Sequence, residues 1–292
     1  MAAIRERRLE LGGYTTRALE LEGEAGSDSA PLVLLHGWSD SADTWRPLLA
    51  ELGRRGRRAI ALDMPGFGAA SRLADDEPVL TQLDRFAAAA ARHLAERDSE
   101  EVVLVGNSLG GCAAMRAAEK DELPVGGIVP IAPAGLAMAR WFRIIEGERL
   151  LRLLLASPVP LPEIVVRDAV GRVYRALAFA NPRDVDPAVV ASFTRHMRSQ
   201  RDLAGALAIG RRLLGELADP FRLELIRRPV LLVWGDSDRM VFPTGADRVL
   251  REVPGSQIQV IEHCGHCPQI EASGRLADLL DGFPASLVAE PA

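Results

Sequence analysis

The stretch Gly106-Asn107-Ser108-Leu109-Gly110 constrains this chain more than any other. It follows the apolar run Val102-Val103-Leu104-Val105 and opens a helical pattern. A G-x-S-x-G at a strand-to-helix junction describes a sharp turn that lifts the serine hydroxyl clear of a sheet. Backbones pass so closely in such a turn that glycine is required at the flanking positions. The helix that begins there points N–H groups and a partial positive charge at the same spot, suited to a developing oxyanion. The motif alone is common, so the reading depends on whether a base and an acid follow in a workable order.

Strand and helix signals alternate on both sides of this turn. Strands are predicted at 31–36, 58–62, 101–106 and 125–132, with helices near 43–54, 80–97 and 109–119. The pattern resumes with strand 229–234, helix 245–252, strand 257–262 and helix 271–282. Continuous apolar strands alternating with helices predict an α/β fold, a mostly parallel sheet covered on both faces. Residues 7–22, with Gly12-Gly13 at the centre, read as an antiparallel hairpin at the sheet edge.

The alternation stops over 136–219. That segment shows helical apolar spacing at Ile144 to Leu155, Ile164 to Phe179 and Pro187 to His196, with Pro158, Pro160 and Pro162 between the first two. It carries 13 arginines against nine acidic residues, in a chain whose net charge is −5. The organisation expected is a core of 1–135 and 220–292 with a helical insertion at 136–219.

Two strand ends carry the partners of Ser108. Asp236 and Asp238 follow Val230 to Trp234, and His263 and His266 follow Gln257 to Ile261. The order Ser, Asp, His resembles that of the α/β-hydrolase superfamily. Two further motifs strengthen the resemblance: His36-Gly37-Trp38 behind a buried strand, and Asp63-Met64-Pro65-Gly66-Phe67-Gly68 behind the next. The likeness implies roles. Ser108 is the nucleophile, and W-G-x-x-D selects Asp238 over Asp236 as the acid. Gly265-His266-Cys267-Pro268-Gln269-Ile270-Glu271 selects His266 as the base. The backbone N–H groups of Trp38 and Leu109 form the oxyanion hole, and the insertion is a cap over the site. Trp38 is also expected to touch substrate, and Asn107 either positions substrate or supports the turn.

These expectations define a serine hydrolase that cleaves a small carboxylic ester, an esterase or monoacylglycerol-type lipase. The alternatives are a carbon–carbon bond hydrolase of aromatic meta-cleavage products, a cofactor-free perhydrolase, and a binding protein on the same fold. The carbon–carbon hydrolases usually have Trp after the triad histidine, where this chain has Cys267. No cofactor or metal is expected, because the histidines lack ligand spacing. Cys264-Gly265-His266-Cys267 also has the form of a redox motif, but it falls after the last strand, where a triad histidine is due. Cys112 reads as a small core residue.

The mild acidity argues against a nucleic-acid partner. The N-terminus lacks an apolar signal core, no apolar run is long enough for a membrane span, and cysteines are few, so a cytoplasmic protein is expected. The cap is the surface expected to meet lipid, and Leu150, Leu153, Leu154 and Leu155 are expected to line its acyl tunnel.

Overall fold

The computed structural model describes residues 3–24, 29–98, 101–138 and 161–283. Its centre is an eight-stranded sheet in the order β1-β2-β4-β3-β5-β6-β7-β8. The strands are β1 (Ile4–Leu11), β2 (Tyr14–Leu21), β3 (Leu32–Leu35), β4 (Ala59–Leu62), β5 (Val102–Asn107), β6 (Val125–Ile131), β7 (Leu231–Gly235) and β8 (Gln257–Ile261). The hairpin β1–β2 and the β2–β4 pair are antiparallel, and every other pairing is parallel. Gly12 and Gly13 turn the hairpin at φ of 58° and 87°, a two-residue turn that needs left-handed backbone at both positions.

Helices cover both faces. On one lie α1 (Arg46–Arg54) and α9 (Ser273–Asp281); α2 (Val79–Asp98) and α3 (Leu109–Ala118) lie on the other, and α7 (Ala246–Glu252) follows β7. The strands β3 to β6 are buried along their whole length, so their apolar runs need no alternation. In α2, Leu83, Phe86, Ala87, Ala90, Ala91 and Leu94 fall on one stripe and are buried. The expected helix 271–282 is in fact two, α8 (Pro268–Glu271) and α9, because Ala272 leaves helical geometry at φ −139°, ψ 41°.

The segment between β6 and β7 contributes α4 (Glu163–Ala178), α5 (Pro187–Thr194) and α6 (Gln200–Glu216). The helix expected at Ile144 to Leu155 lies outside the described residues. The helix α6 starts at a reciprocal capping box, in which Ser199 accepts from Asp202 N–H and Asp202 accepts from Ser199 N–H. It ends with Glu216, whose carboxylate accepts from Val79 and Leu80 N–H at the start of α2, at 2.9 and 2.7 Å.

An ionic cluster joins β2, β4 and the loop after β3. Arg17 bonds Asp63 at 3.0 Å and Asp43 at 2.8 Å, and all three side chains are buried. The topology places a cleft at the same end of the sheet. From β3 the chain first moves to β4, then crosses back to β5 and continues the other way. Ligands in open α/β sheets bind outside the carboxyl ends of strands at such a reversal. Here those ends carry Gly37-Trp38 and Ser108.

The sterics of the β5–α3 turn are testable. A Cβ on Gly110 would stand 2.1 Å from Leu35 carbonyl oxygen. Gly110→Ala should cost at least about 3 kcal/mol in urea unfolding, as overpacking against rigid backbone does. Gly205, inside α6 with nothing within 4 Å of a Cβ, is the control. Gly205→Ala should stabilise by about 0.5–1 kcal/mol.

Candidate active site

Ser108 sits between β5 and α3 at φ 54°, ψ −111°, a conformation few non-glycine residues adopt. Its surroundings enforce it. Ser108 N–H donates to Ile131 carbonyl at 2.8 Å, and its carbonyl accepts from Cys112 N–H and Ala134 N–H. A Cβ on Gly106 would lie 2.1 Å from Gly110 carbonyl oxygen. The turn can therefore close only with glycine at both positions, and the serine side chain is directed away from the sheet. Leu109 N–H belongs to the first turn of α3, where N–H groups have no intrahelical acceptor.

His266 follows β8 and is 3% exposed. Its Nδ1 lies 2.7 Å from Asp238 Oδ2. The other oxygen of Asp238 accepts from Met240 and Val241 N–H at 2.7 and 3.1 Å, which fixes the carboxylate plane. With Nδ1 donating to the carboxylate, Nε2 carries the lone pair; it is buried and has no hydrogen-bond partner among the described residues. Asp236 points elsewhere: it accepts from Cys264 N–H at 3.2 Å and from the Ser237 hydroxyl, and so shapes the turn. The geometry brings Asp238 and not Asp236 to His266.

Ser108 and His266 line one cavity of about 330 Å³. Trp38 and Leu109 line its floor beside Ser108, and Val173, Tyr174, Leu177, Phe193 and Leu207 of the inserted helices form the opposite wall. Two bonds seat those helices on the site. Trp38 Nε1 donates to Ala206 carbonyl at 3.1 Å, and His266 N–H donates to Ala178 carbonyl at 2.7 Å. Arg239, the residue after Asp238, donates to the carbonyls of Ala176, Phe179 and Ala180 at the end of α4. The leucines expected to line a tunnel, Leu150 and Leu153 to Leu155, lie outside the described residues.

Residues 32–279 match the alpha/beta hydrolase family. The chain belongs to that family. It is 30% identical over 94% of its length to a dihydrolipoyllysine-residue acetyltransferase component of an acetoin cleaving system from Pseudomonas putida, of which it covers 68%. It is 28% identical to a pimeloyl-[acyl-carrier protein] methyl ester esterase from Nitrosomonas europaea, across 89% of this chain and 98% of the relative. In fold it is similar to a serine hydrolase involved in carbazole degradation, with a TM-score of 0.73, 24% identity, and 96% and 98% of the two chains covered.

Several residues of this hydrolase act behind the site. His36 is fully buried; its Nε2 accepts from Met64 N–H at 2.8 Å and its Nδ1 meets Gly37 carbonyl at 2.7 Å. Burial pushes its pKa down, so the ring stays neutral and keeps these roles. Asn107, left by the sequence between substrate contact and turn support, spends its amide on the turn. Nδ2 donates to His266 carbonyl at 2.9 Å and Oδ1 accepts from Gln269 at 3.3 Å. Gln269 also reaches Thr44, linking the β5 turn, the histidine loop and the loop after β3. No motif assigns Gln269 this part.

Cys112, Cys264 and Cys267 are buried free thiols, and burial pushes all three well above the ordinary thiol range. Their thiolates are therefore disfavoured. Among the described residues no group of His, Cys, Asp and Glu is placed to hold a metal, and no helix is long and apolar enough to cross a membrane.

The sequence reading missed one charged group in the cavity, Asp40, which carries no motif. It is 8% exposed. Burial pushes its carboxyl up to about 7, although Ser41 N–H and the Thr44 hydroxyl favour the ionised form. A raised folded-state pKa means the folded protein binds more protons than the unfolded chain between about pH 4 and pH 7. This group's contribution to stability therefore falls as pH rises through that window. Asp40→Asn keeps the acceptor and removes the titration. Thermal melts at pH 5 and pH 8 should show a smaller loss of stability in the variant than in the wild type.

Proposed function

We propose that this protein is a serine hydrolase of carboxylic esters, with Ser108 as nucleophile, His266 as base and Asp238 as the orienting acid. The observation that carries the reading is His266, held by Asp238 at 2.7 Å with a buried, unpartnered Nε2 in the cavity that Ser108 lines. Nε2 takes the hydroxyl proton as Ser108 oxygen attacks the ester carbonyl. Charge builds on the carbonyl oxygen beside the N–H groups of Trp38 and Leu109; one such donor is worth about 3 kcal/mol in the transition state. The tetrahedral intermediate collapses, the bond to the alcohol oxygen breaks, and His266 returns the proton to that oxygen. Water, deprotonated by His266, then releases the acid and restores Ser108.

The cavity favours esters over the carbon–carbon alternative. Its described lining is mostly apolar, contains no Arg or Lys, and includes a carboxyl at Asp40. Products of ring meta-cleavage bear a carboxylate, which this lining would leave unpaired and facing a second carboxyl. An apolar acyl chain has the inserted helices to bury against. These helices thus serve as the cap, and the methyl ester esterase among the relatives is consistent with this chemistry.

A chain-length series of nitrophenyl esters tests both parts. Ser108→Ala should lower kcat/KM by about 10⁴-fold or more, with the melting curve retained. Asp238→Asn should cost about 10³–10⁴-fold and Asp236→Asn less than about ten-fold. Wild-type rates in Ser108→Ala would remove the assignment.

The cap is tested by Leu207→Trp. Each buried methylene contributes about 0.8 kcal/mol, so losing room for two or three should cost a decanoate about 10- to 100-fold. A butyrate should lose less than about three-fold. Equal losses on both esters would mean that the inserted helices do not form the acyl pocket.

A further inference from the structure

Two aspartates three residues apart sit in contrasting surroundings. Asp43 is bonded by Arg17 at 2.8 Å, Arg46 at 2.6 Å and Arg195 at 3.4 Å. Asp40 is equally buried, but among the described residues no cation lies within 4 Å of it. Its polar company is Ser41 N–H at 2.8 Å and the Thr44 hydroxyl. An asparagine or serine side chain would accept from Ser41 N–H equally well. A carboxyl placed in an apolar wall is costly to ionise, and a cation arriving from outside would compensate it best.

The position of Asp40 says which part of a substrate would meet it. It lines both the main cavity and a small one of about 30 Å³ beside it, and Tyr174 and Phe193 line both as well. Tyr174 hydroxyl meets Cys267 sulfur at 3.8 Å, and Cys267 directly follows His266. Asp40 is therefore on the histidine side of the cavity, where the departing alcohol is protonated. Tyr174 and Phe193 stack at 3.7 Å between centroids, and Trp38 lines the floor, so aromatic surface lies within the same cavity. A carboxylate beside aromatic faces is the pairing that recognises an alkylated or protonated amine.

We propose that Asp40, with Tyr174 and Phe193, forms a subsite for the cationic group of an amino-alcohol, so that esters of such alcohols are preferred over neutral esters of the same shape. The proposal rests on the ester reading above for which end of the substrate lies here.

The test compares hexanoylcholine with 3,3-dimethylbutyl hexanoate, which differ in charge and hardly in shape. Calorimetry on Ser108→Ala measures binding without turnover. Hexanoylcholine should bind at least about ten-fold more tightly than its neutral isostere, and adding Asp40→Asn should bring that ratio below about two-fold. Asp40→Ser, which also keeps an acceptor for Ser41, should do the same and guards against a folding defect in one variant. Equal binding of the two esters with Asp40 intact would overturn the subsite. So would a preference that survives both substitutions. Wild-type kinetics with the same pair separate the two claims: if neither ester is turned over while the binding preference holds, the ester reading fails and the cation subsite stands.

Discussion

The buried guanidinium of Arg17 is the interaction on which the arrangement of this site rests. It stands on β2, outside the parallel part of the sheet, and holds Asp63 at the end of β4 together with Asp43 in the loop after β3. Burial opposes its charge, and the hydrogen bonds to Asp63 and Asp43 outweigh that cost and raise its pKa. Asp43 is held below the usual carboxylate range, because Arg17 and Arg46 outweigh its own burial. Asp63 also accepts from Ala42 N–H and Ala69 N–H, so both flanking loops hang from one carboxylate. Breaking such a set leaves uncompensated charge inside the protein, at a cost of about 3–5 kcal/mol. Arg195, at the end of α5, reaches the same Asp43. The loop after β3 and the inserted helices therefore share an anchor with β2.

Local rules made much of this legible. The β5 strand, the serine turn and α3 follow from glycines whose Cβ atoms would strike backbone, which is a statement about a few consecutive residues. The parallel strands announce themselves as unbroken apolar runs, because both faces are covered. The preference for Asp238 over Asp236 came from motif spacing. The structure sets Asp238 Oδ2 2.7 Å from His266 Nδ1 and fixes the carboxylate plane with Met240 and Val241 N–H, contacts that spacing cannot express.

What sequence did not reveal depends on contacts between distant segments. Gln269 bridges Thr44 and Asn107, residues 225 and 162 positions away, and nothing near it in the chain marks that use. Asp40 looks like any polar loop residue until the inserted helices close over it. In the insertion the apolar spacing marks Ile164 to Phe179 and Pro187 to His196, close to α4 and α5, but α6 with its capping box at Ser199 and Asp202 was not among the expected helices. The break at Ala272 gives no compositional signal either. Glu271, the residue before it, is engaged by Ala180 and Gly265 N–H, which ties this turn to the insertion and the histidine loop.

The seating of the inserted helices has a consequence for how specificity can change. Glu216 takes hold of two backbone amides, Arg239 of three backbone carbonyls, and His266 and Trp38 each of one more. On one side of every such bond is a peptide group, and peptide groups are common to all residues. The joints made by Trp38, His266 and Arg239 use only backbone carbonyls of the insertion and so do not depend on its side chains, whereas Glu216 and Arg195 are side chains of the insertion itself. Attachment and selectivity are written in part in different alphabets. Side chains at the inward positions of α4, α5 and α6 can therefore change what the cavity admits without touching the backbone bond between Ala178 and His266.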